Sequence, residues 1–122
     1  MSQFDVIIYH NRQCSTSCNV VRLVSALGYE PHIIEYLKTP PRIEMLLQLA
    51  QRADMSIRDF LRVKEKKYHE FSLDDQSLSD DYIAQKMHEN PELINRPIVV
   101  CPHGVALCRP AESVSELLIG SE

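Results

Sequence analysis

The chain alternates between two hydrophobic periods. Phe4 to His10, "FDVIIYH", is an apolar, β-rich run that reads as a buried strand. The period then lengthens. Val20, Val21, Val24 and Leu27 recur at i, i+1, i+4 and i+7, the spacing of one helix face, and Gly28 stands where a C′ residue ends such a helix. "HIIEYL", His32 to Leu37, predicts a second strand, and two strands joined by one helix predict a parallel βαβ pair. Thr39 to Pro41 predicts the start of a second helix with proline in its first turn and a stripe of Ile43, Leu46, Leu47 and Ala50. Ser56 opens a shorter helical stretch holding Ile57, Phe60 and Leu61, and Val63 to Leu78 is polar and less regular. "SLSDDYIAQKMHENP" predicts a helix capped near Ser79, with acids in its first turn and a stop before Pro91. "RPIVVC" predicts a strand opening on Pro97. A turn at Pro102 to Gly104 leads to "VALC", its antiparallel partner, and "RPAESVSELL" predicts a last helix with Pro110 at its start.

The order is β-α-β, then helices, then a β-hairpin and a final helix. It predicts an α/β layer architecture in which helices flank a central mixed four-stranded sheet. This order is similar to that of a thioredoxin-like fold with a helical insertion after the second strand. With no repeats, low-complexity segments or linker, residues 1–122 are expected to form a single domain.

Composition narrows the partners. The 122 residues are 44% hydrophobic and 25% charged, as in an ordinary globular protein, and the formal charge is −4. Bulk charge therefore points to neither nucleic acid nor a membrane surface. No stretch approaches the roughly 20 apolar residues that span a bilayer, and "MSQFDVIIYHN" lacks the basic start of a secretory signal. The expected setting is the cytoplasm, where thiols stay reduced. Four cysteines there are expected to be catalytic, metal-binding or inert rather than a disulfide framework.

Cys14 and Cys18 lie in "CSTSC", at the junction of the first strand and first helix. The first-turn N–H groups of a helix are unsatisfied and its dipole is positive there. A thiolate in that place is stabilised, and an oxyanion can be held beside it. His10, at the strand end, either tunes this thiolate or is a structural residue. Cys18 follows four residues on. It is either a resolving thiol or a small residue packed on the sheet.

An anion site needs counter-charge, and arginine matches tetrahedral oxyanions with a planar fork. Arg62 at a helix end, Arg96 before Pro97 and Arg109 before Pro110 are the three arginines placed at element junctions. In a thioredoxin-like sheet the start of the third strand approaches the cysteine loop, and a cis peptide before Pro97 would aim Arg96 at it. Arg12, Arg22, Arg42, Arg52 and Arg58 read as solvated surface charge, as does the "KEKK" run at Lys64 to Lys67. Cys101, His103 and Cys108 lack an obvious fourth zinc ligand, so no metal is expected. The two cysteines read as buried or partly exposed strand residues, with facing one another on the hairpin as a further arrangement open to them. His32, His69 and His88 read as incidental.

Taken together, "IYHNRQCSTS", "EPHIIEYLKTPP", "SIRDFLR", "INRPIVV" and "LCRP" resemble, in order, the glutaredoxin-dependent arsenate reductase (ArsC) family. The resemblance implies that Cys14 is the nucleophile that attacks arsenate. It implies that Arg62, Arg96 and Arg109 bind the oxyanion, that His10 and Ser17 lie close to the thiolate, and that Pro97 is a structural cis-proline. Arsenate would form a Cys14 adduct, glutathione would release arsenite, and glutaredoxin would restore the thiol. Glutathione is then a co-substrate, and no bound cofactor is expected because arsenic carries the electron change. Two positions depart from the family's pattern: Cys18 stands in place of an arginine, and Val63 in place of a lysine. Two other readings share the fold. One is a non-enzymatic redox-sensing regulator of the Spx type; the other is a glutathione-linked thiol oxidoreductase with another substrate.

Overall fold

The structure, a computed structural model, describes residues 6–119. Contacts divide the chain into two compact units: Met1–Thr39 with Arg96–Glu122, and Pro40–Asn95 between them.

The first unit carries the sheet. β1 (Ile7–His10) leads into helix α1 (Ser15–Ala26) and returns to β2 (His32–Glu35). The predicted first strand also included Phe4 and Asp5, which lie outside the described residues. β1 and β2 are parallel, as the short helical crossover requires, with Ile7 opposite His32 and His10 opposite Glu35. Gly28 ends α1 at φ +96°, in a conformation that a side chain resists. Its N–H bonds the Ser25 carbonyl and the Tyr29 N–H bonds that of Val24, the paired bonds of a Schellman motif.

β3 (Ile98–Cys101) runs antiparallel to β1 on its other side, and β4 (Gly104–Leu107) closes the order β2-β1-β3-β4. The fold is the thioredoxin-like α/β fold, with its helical insertion after β2. Ile8 and Val99, opposite one another, turn to the same face as Val6 and Cys101. Val20 and Val24 of α1 pack there with Val114 and Leu118 of α5 (Ser113–Ile119). Each such fully buried aliphatic stabilises the unit by about 1.5–3 kcal/mol. Pro110 does not open α5. The Arg109–Pro110 peptide is cis, and the helix begins three residues later.

The insertion contains α2 (Ile43–Arg52), α3 (Lys66–Glu70) and α4 (Asp80–Glu89), with 3₁₀ turns at Ile57–Phe60 and Pro91–Leu93. The two prolines do not start α2. Arg42, beyond both prolines, is extended and is the N-cap. Leu49 joins Leu46 and Ala50 on the buried face of α2, while Leu47 is only half-buried. α4 is capped as predicted, the Ser79 hydroxyl accepting from the Tyr82 N–H. Ser56 and Asp59 close a capping box around the first 3₁₀ turn.

Three residues read as solvated or incidental are structural in this unit. Arg58 donates to the carbonyls of Leu73, Asp75 and Leu78 at 2.9, 2.8 and 3.0 Å, holding down an irregular stretch. Lys67 bridges Asn90 and Glu92. His88 Nδ1 lies 2.8 Å from the Pro41 carbonyl. No helix among the described residues is long and apolar enough to cross a membrane.

Candidate active site

Strand register builds the site. Tyr9 is opposite Ile98, so the chain leaving β1 meets the chain entering β3. Ile98 is opposite Leu107, so the chain leaving β4 arrives at the same end of the sheet. The Cys108 N–H extends that ladder to the Pro97 carbonyl at 3.0 Å. The loop after His10 is thereby set beside Arg96 and Arg109, residues remote in sequence.

Asn11 shapes this loop. Its carbonyl accepts from the Cys14 N–H at 3.1 Å, and its side-chain oxygen accepts from the Gln13 N–H at 2.9 Å. Cys14 is the N-cap of α1, with φ −100° and ψ +120°, and is 8% exposed. Burial by itself raises its pKa. The Ser17 backbone N–H and the Arg96 and Arg109 guanidiniums outweigh that effect, and the thiol is held below its ordinary value. Arg109 Nη1 stands 3.8 Å from the sulfur and also donates to the Arg96 carbonyl at 2.9 Å, which ties the two arginines together. The Arg96–Pro97 peptide is cis.

Ser17 is fully buried. Its hydroxyl lies 2.5 Å from His10 Nδ1 and accepts from the Asn11 N–H at 3.1 Å. His10 is 8% exposed, and burial first, then Arg12, lowers its pKa against the opposing pull of Glu35. The imidazole is neutral near pH 7. His10 thus reaches the thiol's helix turn through Ser17. The hydrogen bond to Ser17 gives His10 a structural place at the strand end, and the groups that shift Cys14 are the Ser17 N–H, Arg96 and Arg109.

The sheet unit therefore brings Cys14, His10, Ser17, Arg96 and Arg109 to one end. Arg62 belongs to the insertion. It follows the Leu61–Ile94 bridge rather than ending a helix, its N–H bonds the Leu93 carbonyl at 2.8 Å, and its Nη1 pairs with Glu65 at 3.2 Å. Asn11 and Glu35 escaped sequence reasoning, and Arg12, read as solvated, is an exposed side chain paired with Glu35. Arg12 Nε and Lys38 Nζ lie 3.4 and 3.6 Å from Glu35 Oε1, beside a hollow of about 150 Å³ next to the cysteine loop. The available signal was Glu35 at the end of the strand parallel to β1.

Cys101 and Cys108 do not face each other across the hairpin, because Cys101 is opposite Gly104 and Cys108 lies past the other end of β4. Both are buried in the core, and burial foremost pushes the Cys108 thiol up to about 11. Among the described residues no cluster of three or more His, Cys, Asp or Glu is placed to hold a metal ion.

This combination of sheet, cysteine loop and arginines has a counterpart among known proteins. The ArsC family pattern matches residues 9–117. The chain belongs to the ArsC family. It is 43% identical over 114 residues to an arsenate reductase of Escherichia coli K12, which spans 93% of this chain and 81% of that one. An arsenate reductase of Synechocystis is 43% identical over 118 residues, covering 97% of this chain and 82% of its own. The solved structure of an arsenate reductase from Vibrio cholerae aligns with a TM-score of 0.89 at 42% identity, over 92% of this chain and 96% of that one. This likeness to ArsC-family arsenate reductases supports an oxidoreductase activity.

Proposed function

We propose that this ArsC-family protein reduces arsenate to arsenite, with Cys14 as the nucleophile and glutathione and glutaredoxin as reductants. The observation that carries the reading is the setting of Cys14, a cysteine with a lowered pKa at a helix N-cap with two guanidiniums on its sulfur. A sulfur so placed is a thiolate at lower pH than an ordinary cysteine, and the cations that stabilise it also suit a tetrahedral oxyanion.

In this reading Arg96 and Arg109 orient arsenate for attack by Cys14 and neutralise its charge. The thiolate displaces a hydroxyl from arsenic, which leaves as water. Glutathione thiolate then attacks the Cys14 sulfur, the sulfur–arsenic bond breaks, and its electron pair departs with arsenic as arsenite. Glutaredoxin resolves the Cys14–glutathione mixed disulfide by exchange. Neutral His10, through Ser17, keeps the first turn of α1 in place for these steps. Arg62 enters the proposal as a further oxyanion ligand through its match to the family's motif.

The test is arsenate-dependent glutathione oxidation with glutaredoxin and a glutathione-recycling system. Turnover by the native chain and none by Cys14→Ser is expected. Native activity no higher than that of the variant would overturn the reading.

A further inference from the structure

The structure leaves Cys18 without the packing role open to it. The face of α1 turned to the sheet consists of Ser17, Val20 and Val24. Cys18 is not part of that core and keeps partial access to solvent. Its sulfur instead turns back over the first turn and donates to the Arg12 carbonyl at 3.3 Å, on the loop that presents Cys14. Its N–H bonds the Cys14 carbonyl at 3.0 Å, so the two cysteines are separated by one helical turn.

We infer that Cys18 is a resolving thiol for Cys14, which allows the chain to release arsenite once without glutathione. The inference rests on the proposed arsenate chemistry and adds a second route through it. In the Cys14–arsenic(V) adduct, the Cys18 sulfur gives up its proton to solvent and attacks the Cys14 sulfur. The sulfur–arsenic bond breaks and its electron pair leaves with arsenic, which departs as arsenite. Two thiols lose two electrons, arsenic gains two, and a Cys14–Cys18 disulfide remains for an external thiol such as glutathione or glutaredoxin to reduce.

Geometry permits this closure. Side chains one turn apart on a helix have Cβ atoms about 5–6 Å apart, and a disulfide brings them to about 3.5–4.5 Å. The first turn must therefore yield by about 1–2 Å, at the helix end whose N–H groups lack intrahelical acceptors. Cys14 is the non-helical N-cap, so its side chain can swing without breaking the helix interior. The lowered pKa of Cys14 also suits it as the sulfur that later leaves when the disulfide is reduced.

The experiment mixes reduced protein, freed of all added thiols, with arsenate and follows arsenite release and, by peptide mass spectrometry, the cysteine linkage. One arsenite per native chain is expected, together with a Cys14–Cys18 linked peptide, and neither from Cys18→Ser. If native protein turns over with glutathione and glutaredoxin yet gives neither product without them, the resolving role is overturned and the arsenate reading stands. If arsenate is inert in both formats, hydrogen peroxide decides Cys18 separately. It oxidises Cys14 to a sulfenic acid with loss of water, and attack by Cys18 releases a second water. The linked peptide in native protein supports the inference, whereas Cys14 sulfinic acid beside unmodified Cys18 overturns it.

Discussion

Ser17→Ala isolates the hub of the site. The Ser17 hydroxyl serves two groups, His10 Nδ1 at 2.5 Å and the Asn11 N–H at 3.1 Å, and the residue is fully buried. Alanine removes one small oxygen and strands both partners. A buried polar group left unpaired costs about 1–3 kcal/mol. His10 at 8% exposure bears most of that cost, while the Asn11 N–H is only partly buried and reaches water more readily. The expected loss is about 2 kcal/mol. An unfolding entropy of about 2.1 cal/mol/K per residue over the 122 residues converts this to a Tm lower by about 8 °C. Calorimetry or urea denaturation at pH 7.5 measures it. The thiolate should respond differently, because the Ser17 group that reaches Cys14 is the backbone N–H, which alanine retains. The pH midpoint of Cys14 alkylation should therefore stay below that of an ordinary thiol. A stability change under about 0.5 kcal/mol, within the range of an inconsequential surface substitution, would refute the hub. An alkylation midpoint returned to the ordinary thiol value would show that the hydroxyl, not the N–H, holds the thiolate.

Arg109→Ala should do the reverse. Arg109 is an exposed residue whose guanidinium lies 3.8 Å from the Cys14 sulfur. Its loss leaves the pKa-raising effect of burial less opposed, so the alkylation curve should move to higher pH with a stability change of about 0.5 kcal/mol or less; an unmoved curve contradicts the assignment. Arg58→Ala should lower stability by about 1.5–3 kcal/mol through three charge-assisted bonds to carbonyls, read by urea denaturation, and a neutral result would return Arg58 to the solvated surface. Cys108, held at about 11 within the core, should resist iodoacetamide at pH 8 in folded protein and react only on unfolding, as mapped by peptide mass spectrometry. As the thiolate is the reactive form, Cys14 alkylation should rise through a midpoint below 9.0 and level off above it; a midpoint at or above 9.0 would contradict its lowered pKa.

Local interactions made much of the fold legible. Gly28 ends α1 because only a residue free of a Cβ adopts its positive φ easily, and Ser79 caps α4 because its hydroxyl reaches an N–H three residues on. Such features involve neighbours in sequence, so the residues announce them. The errors lie where a proline suggested a helix start. "TPP" carries that signal, yet Arg42 beyond it is still extended and caps α2. Pro110 looked like a helix start, yet α5 waits until Ser113.

The sequence by itself determined that a cysteine would stand at the positive end of a helix, since a strand, a tight loop and an amphipathic helix follow one another around Cys14. It singled out Arg109 by its place at an element junction, but it left Arg58 among the solvated charges, because the carbonyls that Arg58 latches lie 15 to 20 positions away. Only the tertiary structure showed that latch and the contact of Arg109 with sulfur. Arg109 reaches Cys14 across 95 positions because β1 pairs with β3 and β3 with β4 in one register, and a slip of one residue would turn that strand's side chains to the other face. The burial of Ser17 and the turn of Cys18 toward Arg12 were decided in the same way, by which side of α1 the sheet covers.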